Sequence, residues 1–397
     1  MSSRSRVASV RHGAQKRYHP LITISKFLMS SLAVVVSATL ITGGILVYSV
    51  NDSIQSNAVE LETKPETEDR EVPQMGALEG GANILLVGSD SGEGDQRWGN
   101  RTAALNDVNI LIHINESHDG ITAVSFPRDT FVDIPECTNS ETGKTRSGSR
   151  SVKINEALSR GGLSCVVKTV ENLTGISIPY AAMVEFNGVI EMSNAVGGVN
   201  VCVNAAINDS YTGVHLEPGE YSLQGNDALA FLRTRHGVGD GSDLGRISNQ
   251  QLFLSALVRE IKSDNTLNDF TKLYALARAT ADNVKLSTSL ANLNTLVAMA
   301  LTLKDIELEE VNFIQYPTVY GNSGSQSGVF PNTSAANALM NAIKNEQKIV
   351  LSGGTAPGNI GSIITNPGTQ TTDPEAVVLP PAVTGQNASQ VTCSNGN

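Results

Sequence analysis

The chain has 397 residues, with 28 Lys and Arg against 39 Asp and Glu and a net charge of −11 at pH 7. Six of the cations fall in the first 26 residues, so the remainder carries 22 cations and 39 acids, a charge of −17. A surface of that sign suits neither nucleic acid nor anionic lipid.

In chain order, residues 1–26 hold Arg4, Arg6, Arg11, Lys16, Arg17 and Lys26 and no acid, and residues 27–50 are uncharged. A bilayer core of about 30 Å needs roughly 20 apolar residues, and a basic flank marks the cytoplasmic side. The segment reads as one transmembrane helix behind a cytoplasmic basic tail, with the remaining 347 residues outside the cell membrane. A cleaved signal peptide is the competing reading, since Ser37, Thr39, Gly43 and Gly44 are small, but its apolar region would be shorter, roughly 7 to 15 residues. Residues 51–80 are acidic and poor in large apolar side chains, which predicts a solvated spacer.

From residue 81 to about residue 350 the hydrophobic period alternates. Asn83–Gly88, Val108–Ile114 and Ile121–Phe126 are short β-branched runs bounded by turn formers and read as strands. Val152–Gly161, Ser164–Thr174 and Asn187–Val196 have helical spacing, the last stopped by Gly197-Gly198, and Val199–Val203 reads as a strand. Ile247–Lys262, Phe270–Ala281 and Leu286–Thr302 are again helical in period. Strands interleaved with helices predict one layered α/β domain. Residues 351–397 shift to Gly, Thr, Pro, Asn and Ser with almost no charge, which predicts a disordered tail.

The four cysteines, Cys137, Cys165, Cys202 and Cys393, lack the doublets of a zinc site and can pair in an oxidising compartment. Cys137 with Cys165 is favoured, because it would staple the polar loop 138–151 to the segment downstream of it; Cys202 with Cys393 is the residual pairing, and sequence does not fix the connectivity.

Two cationic clusters interrupt apolar segments, Val124-Ser-Phe-Pro-Arg-Asp129 and Phe231-Leu-Arg-Thr-Arg-His236. The planar fork of arginine matches phosphate oxygens in pairs, and burying several is costly unless an anion compensates. Arg233 and Arg235, one residue apart, would share a face of a strand and repel without an anion between them. Arg128 reads equally as a partner of Asp129 or Asp133 or as a ligand contact. Arg246 and Gln250 share a helical face, and Lys153 reads as a solvated helix residue. Asp90 ends one strand and Asp107 opens the next, positions that could face one crevice, where two carboxylates beside arginines suit a divalent ion bridging phosphate oxygens; taken singly, each reads as a turn or cap residue.

These blocks, with Asn83-Ile-Leu-Leu-Val-Gly-Ser-Asp90, Lys153-Ile-Asn-Glu-Ala157, Val196-Gly-Gly-Val199 and Gly245-Arg-Ile-Ser-Asn-Gln250, resemble the LytR-CpsA-Psr family of bacterial envelope proteins. The resemblance covers Asn83 to about Ile343. It implies an α-β-α layered fold with a mixed central sheet, anchored as a single-pass membrane protein. It further implies a phosphotransferase that moves a glycopolymer from a polyprenyl-pyrophosphate carrier to peptidoglycan through a phosphodiester, the lipid lying in an apolar tunnel. Asp90 and Asp107 match the magnesium ligands, with manganese as an alternative ion. Arg128, Arg233, Arg235, Arg246 and Gln250 match the pyrophosphate set, with Lys153 nearby and Asp243 behind them. Asn106-Asp107-Val108 departs from the usual acidic motif, after an extended loop from Ser91 to Asn106. The cysteine-flanked insertion and the tail suggest an actinobacterial envelope with arabinogalactan as the polymer. A pyrophosphatase and a non-catalytic polyprenyl-phosphate binder are the alternatives.

Overall fold

The computed structural model describes residues 44–45, 48–62, 80–90, 104–140, 142–263, 266, 269–351 and 376–397. Its first half runs through β1 (Ala82–Ser89), β2 (Asn106–Ile114), β3 (Ile121–Ser125), β4 (Phe131–Ile134), β5 (Ser149–Lys153), α1 (Ala157–Thr174), β6 (Tyr180–Val184) and α2 (Phe186–Val196). Next come β7 (Val199–Ala205), β8 (Ile207–Asp209), β9 (Val214–Leu216), β10 (Gly219–Leu223), α3 (Gly225–Arg233) and α4 (Asp243–Lys262). The chain then forms α5 (Phe270–Asn283), β11 (Val284–Leu286), α6 (Leu293–Asp305), β12 (Val311–Gln315), α7 (Thr333–Lys344), β13 (Gly385–Asn387) and β14 (Cys393–Asn395).

Seven of these strands make one mixed sheet in the order β11-β6-β1-β2-β3-β12-β13. β1 runs parallel to β6 and antiparallel to β2, β3 runs antiparallel to β2 and parallel to β12, and both edge strands are antiparallel. The register sets Leu85 opposite Leu111 and Leu111 opposite Val124. These alternate residues bury one face of the sheet under α1 and α7, and Ile110, Ala123, Ala182 and Phe313 bury the other with Ala281 of α5 and Met299 of α6. The result is the α-β-α layering, with helices on both faces because a strand run apolar on both sides must be covered twice. A third cluster joins β7 and β8 to Phe231 of α3 and Phe253 of α4.

Gly197 ends α2 with φ 90°, a conformation open to glycine, and its N–H bonds the Asn194 carbonyl. The expected helix over 152–161 is instead β5, a short 3-10 turn and the start of α1. Helix 286–302 is replaced by β11 followed by α6, because Asn292 caps the later start by accepting from Asn294 N at 2.9 Å.

Both ends of the expected domain need correction. Residues 376–397 are not a disordered tail: β13 pairs with β12, and Cys393 of β14 is bonded to Cys202 of β7. Ala388, Val383 and Cys393 are fully buried there, so a low-charge stretch folds because the rest of the domain supplies its core. Nor are residues 51–62 spacer. Ile54 sits in the core with Val50, and Val59 exchanges backbone hydrogen bonds with Leu286 and Thr288. Residues 63–79 and 1–43 of the expected spacer, basic tail and span lie outside the described residues; of residues 1–49 only 44, 45, 48 and 49 are described, all helical. Among the described residues no helix is long and apolar enough to cross a membrane. Cys137–Cys165 also forms, tying β4 and its loop to α1.

The Cys202–Cys393 bridge closes a separation of 191 residues, so its loss releases much denatured-chain entropy. Cys393→Ser is expected to lower unfolding stability by about 2–5 kcal/mol in denaturant titrations, with wild type and variant converging under reducing conditions.

Candidate functional site

The site is built where β1 ends and β2 begins, at one end of the central strands of the sheet. Gly88 lets the two strands approach: a Cβ there would lie 2.8 Å from the Val108 Cβ. Beyond it Asp90, only 3% exposed, accepts the Leu105 N–H at 2.8 Å and so closes the base of the intervening loop. Asp107 opens β2, and Pro127 turns the chain out of β3 so that Arg128 faces it.

Arg128 and Arg246 are crosslinked by two carboxylates. Arg128 Nη1 donates to Asp107 Oδ2 at 2.9 Å, its Nε lies 3.4 Å from Asp243 Oδ1, and its backbone N–H donates to Asp243 Oδ2 at 3.2 Å. Arg246, 5% exposed, reaches Asp243 Oδ1 at 2.7 Å and the Asp107 carbonyl at 2.8 Å, with Asp107 Oδ2 at 3.8 Å. Burial works against the Arg128 charge, but Asp107, Asp243 and Asp129 outweigh it and hold the guanidinium above its ordinary pKa. Ser242 caps α4 by accepting from Gly245 N, which places Asp243, Arg246 and Gln250 on successive turns toward β2. Gln250 donates to the Leu232 carbonyl at 3.1 Å and pins the end of α3.

Arg233 and Arg235 are not on a strand. Arg233 is the last residue of α3 and lies 4.4 Å over the Phe186 ring, whereas Arg235 follows in a loop and donates from Nε to the Gly241 carbonyl. Asp209 holds that loop. Its Oδ2 accepts from Thr234 Oγ1 at 2.8 Å and from the Arg235 and His236 N–H groups at 3.1 Å, and its Oδ1 accepts from Tyr211 N at 3.0 Å. Burial opposes the Asp209 charge, but the hydroxyl and the three N–H groups outweigh it and keep its pKa below the ordinary carboxylate value.

These groups surround a cavity of 570 Å³. Leu86, Ile110, Phe186, Met192, Leu232 and Leu254 give it an apolar wall, and Asp90, Asp107, Arg128, Arg233, Arg235, Arg246 and Gln250 all line it. Lys153 and Asp243 do not. Lys153 ends β5 and pairs with Asp129 at 2.6 Å, so it is a strand residue in an ion pair rather than a solvated helical one. Asp243 sits behind the arginines as their shared counter-ion. Sequence reasoning missed Asp209, Tyr211 and His236; the Asn208-Asp209-Ser-Tyr-Thr-Gly213 stretch signals only a turn.

For a divalent cation the fit is favourable on one atom: Asp107 Oδ1 is buried and has no hydrogen-bond partner among the described residues. Those residues gather no set of three metal-ligating side chains, but magnesium prefers one or two carboxylates plus substrate phosphate.

Fold and site together define a mixed-sheet α/β protein whose largely apolar cavity is also lined by arginines and aspartates. The model of the LytR_cpsA_psr family matches residues 46–348, and the chain belongs to that family. Among curated relatives it is 31% identical over 241 residues to the cell wall biosynthesis protein LcpA of Corynebacterium glutamicum, covering 54% of this chain and 46% of that protein. It is 30% identical over 203 residues to the polyisoprenyl-teichoic acid–peptidoglycan teichoic acid transferase TagU of Enterococcus faecalis, covering 51% and 60%. The chain thus spans about half the length of these relatives. In fold it is similar to protein gbs0355 from Streptococcus agalactiae, with TM-score 0.55, 23% identity and coverage of 67% and 88%. It is also similar to TagT bound to LIIa-WTA, with TM-score 0.52, 22% identity and coverage of 72% and 98%.

Asp209→Asn turns an amide NH2 toward donors and is expected to cost about 1–3 kcal/mol at pH 7. Because the folded pKa is depressed, the carboxylate's contribution is complete above the unfolded value of 3.8 and is lost as pH falls through the folded one. The stability gap between wild type and variant should therefore narrow in denaturant titrations carried from pH 7 to pH 3; an unchanged gap would rule this account out.

Proposed function

We propose that the protein transfers a glycopolymer from a polyprenyl-pyrophosphate carrier to peptidoglycan. The observation that carries this reading is one cavity that combines an apolar wall with four arginines in its lining, complementary to a long lipid with an anionic head. TagU relatives named as polyisoprenyl-teichoic acid–peptidoglycan teichoic acid transferases support the donor and acceptor classes. For the polymer we infer arabinogalactan, on the likeness to a Corynebacterium wall-biosynthesis protein and on the disulfide-stapled insertion. The two disulfides suit an extracytoplasmic site, with the uncharged stretch that begins at residue 27 and ends before the buried Val50 as a single membrane anchor and the N-terminus cytoplasmic.

In the reaction a muramic-acid hydroxyl oxygen bonds to the sugar-bearing phosphorus. The bond from that phosphorus to the bridging oxygen breaks, polyprenyl phosphate departs, and the hydroxyl proton passes to a site carboxylate or to solvent. Arg128 and Arg246, already fixed by Asp107 and Asp243, present guanidinium groups to the equatorial oxygens without reorganising. Arg233 and Arg235 hold the outer phosphate at the rim. Asp90 and Asp107 would hold magnesium, which when bound neutralises charge on the phosphate oxygens.

The test is transfer from a synthetic polyprenyl-pyrophosphate disaccharide to a peptidoglycan acceptor by the full chain in detergent, since residues 376–397 complete the sheet. Arg128→Ala and Asp107→Ala are expected to lower the rate about 10²- to 10³-fold, and omission of magnesium to lower it comparably. Lys153→Ala, at a residue that pairs with Asp129 and does not line the cavity, should change it less than about tenfold. Release of polyprenyl phosphate without transfer would instead indicate a pyrophosphatase, and binding without turnover a carrier protein.

A further inference from the structure

One large aromatic at the cavity mouth is left unused by the phosphate chemistry. Tyr211 is 81% exposed and lines the cavity. An exposed tyrosine is ordinary on a loose loop, but this one is anchored. The Thr212 and Gly213 N–H groups bond the Asp209 carbonyl at 3.3 and 2.8 Å, and the Tyr211 N–H bonds the Asp209 carboxylate. The same carboxylate holds the His236 N–H, and the two rings lie 4.8 Å apart at 43°. A single buried aspartate thus fixes an aromatic pair in register with Arg235. The neighbours Asp209, Thr212, Arg235 and His236 are polar or charged, which suits a hydrated ligand rather than a lipid tail.

The geometry points to a saccharide platform: Tyr211, backed by His236, takes the face of a pyranose ring next to the phosphate held by the arginines. A pyranose face presents C–H bonds of slight positive charge, which seat on the negative π face of an aromatic ring, and the tyrosine hydroxyl can bond a sugar hydroxyl. The identity of that sugar rests on the transfer reaction proposed above: it is either the first sugar of the lipid-linked donor or a sugar of the acceptor strand.

The experiment measures three affinities of the full chain in detergent by calorimetry: sugar-free polyprenyl pyrophosphate, the same lipid bearing a disaccharide, and a soluble peptidoglycan disaccharide. Tyr211→Ala is expected to weaken one of the two sugar-bearing ligands roughly three- to tenfold and leave the sugar-free lipid unchanged. Tyr211→Phe and Tyr211→Trp should retain most of the affinity. A loss on the lipid-linked disaccharide assigns the platform to the donor, and a loss on the soluble disaccharide assigns it to the acceptor. Wild-type affinities for both sugars in Tyr211→Ala would overturn the proposal, as would an equal loss on the sugar-free lipid, which marks disturbance of the arginine loop. Failure of wild type to bind sugar-free polyprenyl pyrophosphate would defeat the phosphotransferase reading, while the soluble disaccharide would still decide the platform.

Discussion

Two arginines cannot be buried side by side without carboxylates to hold them, and the joint between Arg128, Asp107, Arg246 and Asp243 meets that constraint. The four residues come from the loop after β3, the start of β2 and the first turns of α4, so the ion network ties the start of α4 to the sheet while Leu254 and Val258 pack further along the helix. Its geometry is set before any ligand arrives. A phosphate entering such a site meets oriented charge instead of flexible side chains, the condition under which electrostatic stabilisation is strongest.

The fold serves this network by ending its strands at one edge. β1 and β3 finish there and β2 starts there, so backbone direction alone brings Asp90, Asp107 and Arg128 together. Around them the molecule uses two recurrent devices. Small residues permit close approach, as Gly88 does beside Val108. Buried carboxylates organise loops, Asp243 for the arginine pair and Asp209 for the segment from Thr234 to His236. The second device explains how a loop can carry both cations and aromatic rings beside the cavity with its N–H groups satisfied by one ionised side chain.

The periphery is less regular and depends on distant segments. Residues 50–62 and 376–397 flank the domain in sequence yet pack into its cores, one through Val59 beside β11 and the other through β13 and the Cys202–Cys393 bridge. Neither has the hydrophobic content to fold alone. Each is ordered because the central sheet leaves an unpaired edge or an uncovered apolar patch that a short stretch can complete.

The sequence by itself determined the strands around Leu85, Leu111 and Val124, the helices over residues 247–262 and 270–281, and the residues whose chemistry calls for an anion. Short-range period and residue type carry that information, since alternation and arginine clustering are local properties. Position within those elements was less legible: Arg233 and Arg235 gave a strand-like spacing but stand at and beyond a helix end, and Lys153 belongs to Asp129. Only the tertiary structure decided which carboxylate each cation meets, that Asp209 organises the loop carrying Arg235 and His236, and that residues 376–397 complete the sheet. Those are contacts across roughly 25 to 190 residues of chain, chosen by the packing of the whole domain, and no local pattern in the sequence encodes them.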